Sequence, residues 1–272
     1  MPIKAAADEP PPCALLDRAD GVSRAGAAIG WSFLDDSPEV DFTGLRLDVH
    51  GQWVAPHLGV GGYAVLPLSY GRIDPDVGAN NAEWSLGDAE VGGVYRRALI
   101  PELDLAAHIG VTLPTAPQST FSADDRTGFA NSFAIWARPN DLAQAYEEAT
   151  FIRAGISPIH MAEKWFARGD IAVDVPVHSG AGNDLTTLGR LNGAIGARFD
   201  RGAAMLELVN LIALEKPENE AADRLLTFVG LTGVFGLGGP WSVVPSLMIP
   251  LDDEINDSVD MAFLLGVEAA LP

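Results

Sequence analysis

Along residues 103–113 apolar and polar side chains alternate with almost no error. Leu103, Leu105, Ala107, Ile109, Val111 and Leu113 fall on one parity, and Asp104, Ala106, His108, Gly110 and Thr112 on the other. A period of two over this length describes a β-strand with one face in an apolar medium and the other in a wet or ion-paired space. Only Ile100, Pro101 and Glu102 separate it from the preceding stretch, so the two read as a tight hairpin with a long partner. The same pattern recurs. Ala25 to Phe33 oppose Arg24 to Ser32, and Leu45, Leu47, Val49 and Trp53 oppose Arg46, Asp48, His50 and Gln52. A third strand ends at Arg72, and further ones run over 150–158, 165–177, 191–199, 203–213, 224–236, 241–251 and 259–267. Two are irregular: Asn210 breaks parity in the ninth, which suggests a bulge, and the tenth is apolar on both faces and has no assignable orientation.

Twelve strands result, and the connections between them alternate in length. Pro56–Gly59, Ile100–Glu102, Ile159–Lys164, Asp200–Gly202 and Leu237–Pro240 are short, whereas 35–41, 73–85, 116–148, 178–187, 214–223 and 252–258 are generally longer. Outer-membrane barrels have even strand numbers, short periplasmic turns and long outer loops. We therefore expect an all-β, twelve-stranded antiparallel transmembrane β-barrel over 21–272, preceded by a flexible Pro-rich tail over 1–20. Leu66-Pro67, Leu113-Pro114, Val175-Pro176 and Ile249-Pro250 repeat an apolar-proline step where long loops begin, since proline cannot donate to a ladder. The 116–148 stretch is too long for a passive connection. Within it Leu142, Ala145, Tyr146 and Ala149 have helical spacing, so it either folds inward or caps the mouth.

Composition narrows the picture. No apolar run approaches the roughly 18 residues of a membrane-crossing helix. One cysteine, Cys13, excludes an intramolecular disulfide, and a net charge of −20 argues against nucleic acid as a partner. The opening MPIKAAADEPPP lacks the apolar run of an export signal, so the barrel reading expects the signal to have been removed from this chain.

The pieces GDAEVGGVYRR (87–97) and HIGVTLPT (108–115), echoed by GDIAVDVPV (169–177), resemble bacterial outer-membrane barrel transporters of the phenol-degradation meta-pathway type. The resemblance implies an outer-membrane channel for passive uptake of small molecules, hydrophobic or aromatic ones among them. It implies no cofactor.

The parity assigns a lumen set. Arg24, Arg46, Arg96, Arg153, Arg168, Arg190 and Arg198 face inward with Asp48, Glu90, Asp104, Asp170, Asp174, Glu207, Asp260 and Glu268, and His50 and His108 join them. Such residues either prop the barrel as ion pairs or set a conduit's selectivity. The six long loops hold 21 of the 37 acidic residues, which makes the outer rim negative and marks Asp252, Asp253, Glu254 and Asp257 as candidate ligands for divalent cations. Outer-membrane lipid and a small permeant are the other expected partners. The alternative is a lipid-active barrel enzyme, for which His178, Ser179, Asn183 and Asp184 are the candidate group. His178 and Ser179 are adjacent on a strand and face opposite ways, which argues against it.

Overall fold

A computed structural model describes residues 9–34, 40–75, 81–116, 130, 134–146, 148–178, 185–215, 225–252 and 259–272. The described residues form thirteen strands: β1 (Arg24–Leu34), β2 (Val40–Val54), β3 (Val60–Pro75), β4 (Asn81–Leu86), β5 (Ala89–Ile100), β6 (Leu103–Leu113), β7 (Thr150–Met161), β8 (Trp165–His178), β9 (Leu188–Phe199), β10 (Gly202–Ala213), β11 (Leu225–Gly238), β12 (Trp241–Pro250) and β13 (Val259–Ala270). Each pairs antiparallel with its neighbours, and β1 pairs with β13, which closes the sheet. β4 and β5 lie end to end along β3, so the barrel has twelve staves. The start of β1 and the end of β13 meet at the short-turn end, where the Leu271 amide donates to the Ser23 carbonyl at 2.9 Å.

The outer face is apolar. Val49, Ile109, Ile156, Ile171, Leu191, Leu206, Leu231 and Leu247 are exposed there. Aromatics gather near both rims: Trp53, Trp165, Phe199 and Trp241 at the short-turn end, and Phe33, Trp84 and Tyr70 at the loop end, with the rings of the last two 4.9 Å apart. Belts of this kind flank the hydrocarbon zone of a membrane barrel.

Several boundaries and registers differ from expectation. The polar loops placed at 35–41 and 73–85 are shorter, because β2 begins at Val40 and β3 and β4 extend into a hairpin. Pro67 lies inside β3 and not at a strand end. It sits where the ladder partner changes from β5 to β4, so its missing N–H costs no bond there. β10 has no bulge: its register against β11 is continuous, and against β9 the same register resumes after a gap at Val209 and Asn210, where the Asn210 amide donates to Asn192 Oδ1 at 2.9 Å. Asn210 faces outward and satisfies itself locally, donating to Leu191 O at 2.7 Å and accepting from Thr227 Oγ1 at 3.1 Å. β11 turns Phe228, Gly230, Thr232 and Val234 inward.

That inner apolar face has a physical cause. Residues 10–22, of which 10–20 belong to the stretch expected to be a loose tail, run inside the barrel; Leu15 and Leu16 are fully buried among Phe166, Met205, Phe228, Val244, Met248 and Leu264. Residues 134–146, the longest described stretch of the insertion, also lie inside and include two 3-10 turns, Ile135–Ala137 and Pro139–Gln144, which touch β1, β2 and β13 on one side and β10 on the other. The barrel therefore has a core. Strands β10–β13 supply its apolar half and β2–β9 a largely ionic one.

Candidate functional site

The site is the lumen, and the residues that fill it come from three sources. Wall carboxylates and arginines pair first with one another. Arg46 holds Asp48 at 2.8 Å, Arg168 holds Asp170 at 2.8 Å, and Asp174 lies 2.9 Å from Arg190 and 3.2 Å from Arg153, which also binds Glu90. Tyr63 donates to Glu90 at 2.6 Å. Arg24 lies 3.5 Å, and His50 Nε2 3.4 Å, from Glu268. Period-two geometry dictates this lining, since one parity of every stave must face the axis.

Upon this wall dock the two inner segments. From the tail, Asp17 lies 2.7 Å from Arg190 and 3.3 Å from His108 Nε2. Arg18 lies 2.8 Å from Asp48, and Asp20 lies 3.0 Å from Arg24. Burial pushes the Asp17 carboxyl up, but His108, Arg190, Arg153 and Arg168 outweigh it and hold it well below the usual carboxylate range. From the insertion, Asp141 receives four guanidinium groups: Arg138, Arg46 at 3.2 Å, Arg18 at 3.4 Å and Arg153 at 3.4 Å. Gln144 donates to Glu90 at 2.8 Å, Asn192 donates to Asn140 Oδ1 at 2.7 Å, and the Trp136 ring lies tilted against that of Phe228, 6.4 Å between centroids. A cavity of about 20 Å³ remains beside the tail, lined by Cys13, Asp17, Asp20, Arg24 and Arg168 among others. That is room for about one water molecule.

The insertion is anchored at a gap in the wall. β4 ends at Leu86 and β5 begins at Ala89, and in the break the Asp88 amide donates to the Gln144 carbonyl at 2.9 Å. Asp88 Oδ1 accepts from the Ala116 amide at 2.8 Å, and the Thr115 hydroxyl bridges Gly87 O and the Ala89 amide, both at 2.8 Å. A Cβ at Gly87 would lie 2.8 Å from Pro67 Cγ and 3.3 Å from Gln144 O, so only glycine lets the segment approach. The sequence pieces 87–97 and 108–115 thus meet in one device.

Of the lumen set assigned from parity, Arg24, Arg46, Asp48, His50, Glu90, His108, Arg153, Arg168, Asp170, Asp174 and Arg190 are buried in this cluster, Glu207 is buried apart from it against the tail, and Glu268 borders it. Arg96 and Asp104 pair apart from it, with Arg96 Nε 2.9 Å from the carboxylate, and Arg198 donates to the Ala162 carbonyl at 3.3 Å near the short-turn end. Asp260 is not brought in. It is exposed at the loop end, beside the irregularity where β1 and β13 shift register. Asp141, counted with the negative rim, lies instead at the centre of the lumen. Of the cation-site candidates, Asp252 accepts from the Thr227 amide, and Asp253, Glu254 and Asp257 lie outside the described residues. His178 is exposed at the end of β8, and Ser179, Asn183 and Asp184 also lie outside the described residues.

The sequence reading missed Asp17, Arg18, Asp20, Arg138, Asn140, Asp141 and Gln144 as lumen groups. A signal existed: Leu15-Leu16 beside Asp17-Arg18-Ala19-Asp20 is an apolar pair within a charged run, which solvated tails lack. The preceding prolines masked it.

No family model and no curated protein matches this sequence. Among solved structures, the chain is similar to an outer membrane channel from Pseudomonas putida F1, with a TM-score of 0.61 and 13% identity over 94% of this chain and 100% of that one. It is similar to the KdgM porin at 0.55 and 8% identity, covering 91% and 99% of the two chains. The NanC porin scores 0.55 at 7% identity, covering 90% and 100%. At such identities the likeness is one of architecture: the chain has the closed twelve-stave barrel fold of outer-membrane channels.

Proposed function

We propose that this chain is a bacterial outer-membrane channel for passive uptake of small molecules, held shut at rest by two segments of its own chain. The observation that carries the reading is the lumen itself. Its wall is lined along much of its length by paired charges, and it is filled by residues 10–22 and 134–146 and not by wall side chains alone. A barrel that served only as an anchor would gain more from an apolar interior, because buried ion pairs carry a desolvation cost that well-packed hydrophobic residues avoid. The likeness in fold to an outer membrane channel and two porins supports this reading.

Permeation requires the insertion to leave. It would open a conduit with guanidinium–carboxylate pairs on one side and Phe228, Met205, Met248 and Leu264 on the other, a surface for small molecules that are partly apolar, aromatic ones included. The meta-pathway assignment within this class is supported by the two sequence pieces at the wall break. Planar-bilayer recording tests the proposal. The intact chain should show low conductance, and a variant lacking 118–146 should show large, steady steps. A folded variant that conducts no better would overturn it.

A further inference from the structure

The tail is gripped by its backbone. Glu207 accepts the amides of Ala14, Leu15 and Leu16 at 3.1, 3.0 and 3.2 Å, and Arg138 of the insertion donates to the carbonyls of Ala14, at 3.0 Å, and Leu16. Three successive amides converging on one anion form a nest, and charge assistance makes each bond roughly twice as strong as a neutral one. None of these contacts depends on side-chain identity. Selection comes from what flanks them. Leu15 and Leu16 are fully buried in the apolar half of the lumen, and Gly230 leaves space for Leu15, whose Cδ1 a methyl there would strike. Asp17, the next residue, meets Arg190, and Arg168 holds its carbonyl at 2.6 Å.

Glu207 is the telling group. It is completely buried, and among the described residues no cation lies within ion-pair distance of it; besides the three amides its partner is the Thr232 hydroxyl. A buried carboxylate left with one hydroxyl donor is costly. This part of the wall is therefore complementary to a peptide backbone and not to a permeating ion.

We infer that the cleft formed by β10, β11 and the insertion is a peptide-binding site whose resident is the chain's own tail. The site accepts a free peptide with two aliphatic residues followed by an acidic one. The inference deepens the channel reading, and it rests on that reading only for its physiological use. Its test reads binding without conduction, so the two can fail separately.

The probe is a fluorescent peptide with the sequence of residues 9–22, added to detergent-solubilised barrel lacking residues 1–22 and checked for folding by its heat-modifiable gel mobility. Saturable anisotropy is expected. Glu207→Gln in the barrel, or Ser at both leucines of the peptide, should weaken it at least tenfold. The intact chain, whose tethered tail competes at an effective concentration of about millimolar, should bind no peptide at micromolar concentration. A folded truncated barrel that binds no peptide, or binds it equally well with Glu207→Gln, overturns the inference. If the truncated barrel does not fold, the full chain carries the test through Cys13, which is buried in the resident tail. Free peptide at millimolar concentration, with Ser in place of its Cys, should raise Cys13 alkylation severalfold, and an unchanged rate overturns the inference.

Discussion

Asp141 is the residue on which the proposed closed state turns, because one carboxylate there faces Arg18, Arg46, Arg138 and Arg153 in a buried site. Removing one member of a buried ionic set costs about 3–5 kcal/mol, since its partners stay buried without compensation. Asp141→Asn should therefore loosen the insertion and raise the open probability in planar bilayers by two orders of magnitude or more. An open probability equal to that of the parent would show that the carboxylate does not hold the segment. The effect of pH follows from Asp17. Its carboxyl is held below the ordinary range when docked, so the docked tail binds fewer protons than a released one. Docking is then fully favoured above the free value of about 4 and is lost as pH falls through the lower docked value. As far as this carboxylate governs it, conductance should stay flat from pH 7 to 5 and rise only below about pH 4.

At the scale of elements, the break between β4 and β5 is where the wall holds the insertion. Leu86 ends one half-stave, Ala89 begins the next, and Gly87 and Asp88 between them face Gln144, Thr115 and Ala116. Asp88 is fully buried, and truncating it would leave the Ala116 amide without this acceptor, a loss on the order of 1–3 kcal/mol. Asp88→Ala should thus speed protease cleavage within 130–146 in detergent while leaving the heat-modifiable mobility of the barrel intact. Gly87→Val should do so more strongly, because its side chain would occupy the space of Pro67 and Gln144. Equal cleavage rates in all three proteins would detach the wall break from the insertion.

For the whole molecule, the balance is between an apolar exterior and a filled interior. Leu231 and Ile109 are among the most exposed apolar side chains, at 62% and 61%, in the middle of their staves, where only lipid solvates them. Arginine at a bilayer midplane costs about 2–4 kcal/mol on a barrel's lipid face. Leu231→Arg should lower the urea midpoint of the barrel in vesicles accordingly, whereas Phe199, at the short-turn rim, should accept arginine for about 0–1 kcal/mol. Equal penalties at the two sites would mean that the belt does not sit in hydrocarbon where the aromatics place it.

The staves and the parity of most of them were determined by sequence alone, because a strand's alternation is local: every second residue must face lipid, and the pattern at 103–113 states this without help from the rest of the chain. Asp260, beside a register shift, and Asp141, in a loop, lie outside that rule. The pieces GDAEVGGVYRR and HIGVTLPT were also visible, though not their joint purpose. What fills the barrel was decided by tertiary structure. Leu15 and Glu207 are 192 residues apart and Leu16 and Arg138 are 122 apart, so no local pattern links a Pro-rich tail to a glutamate on β10 or an arginine in a long loop. The same distance explains why β11 could not be oriented from its composition. Its two apolar faces look alike until Leu15 and Trp136 cover one and lipid the other. A local period selects the wall, and only closure of the ring creates the space in which a tail and a loop become its core.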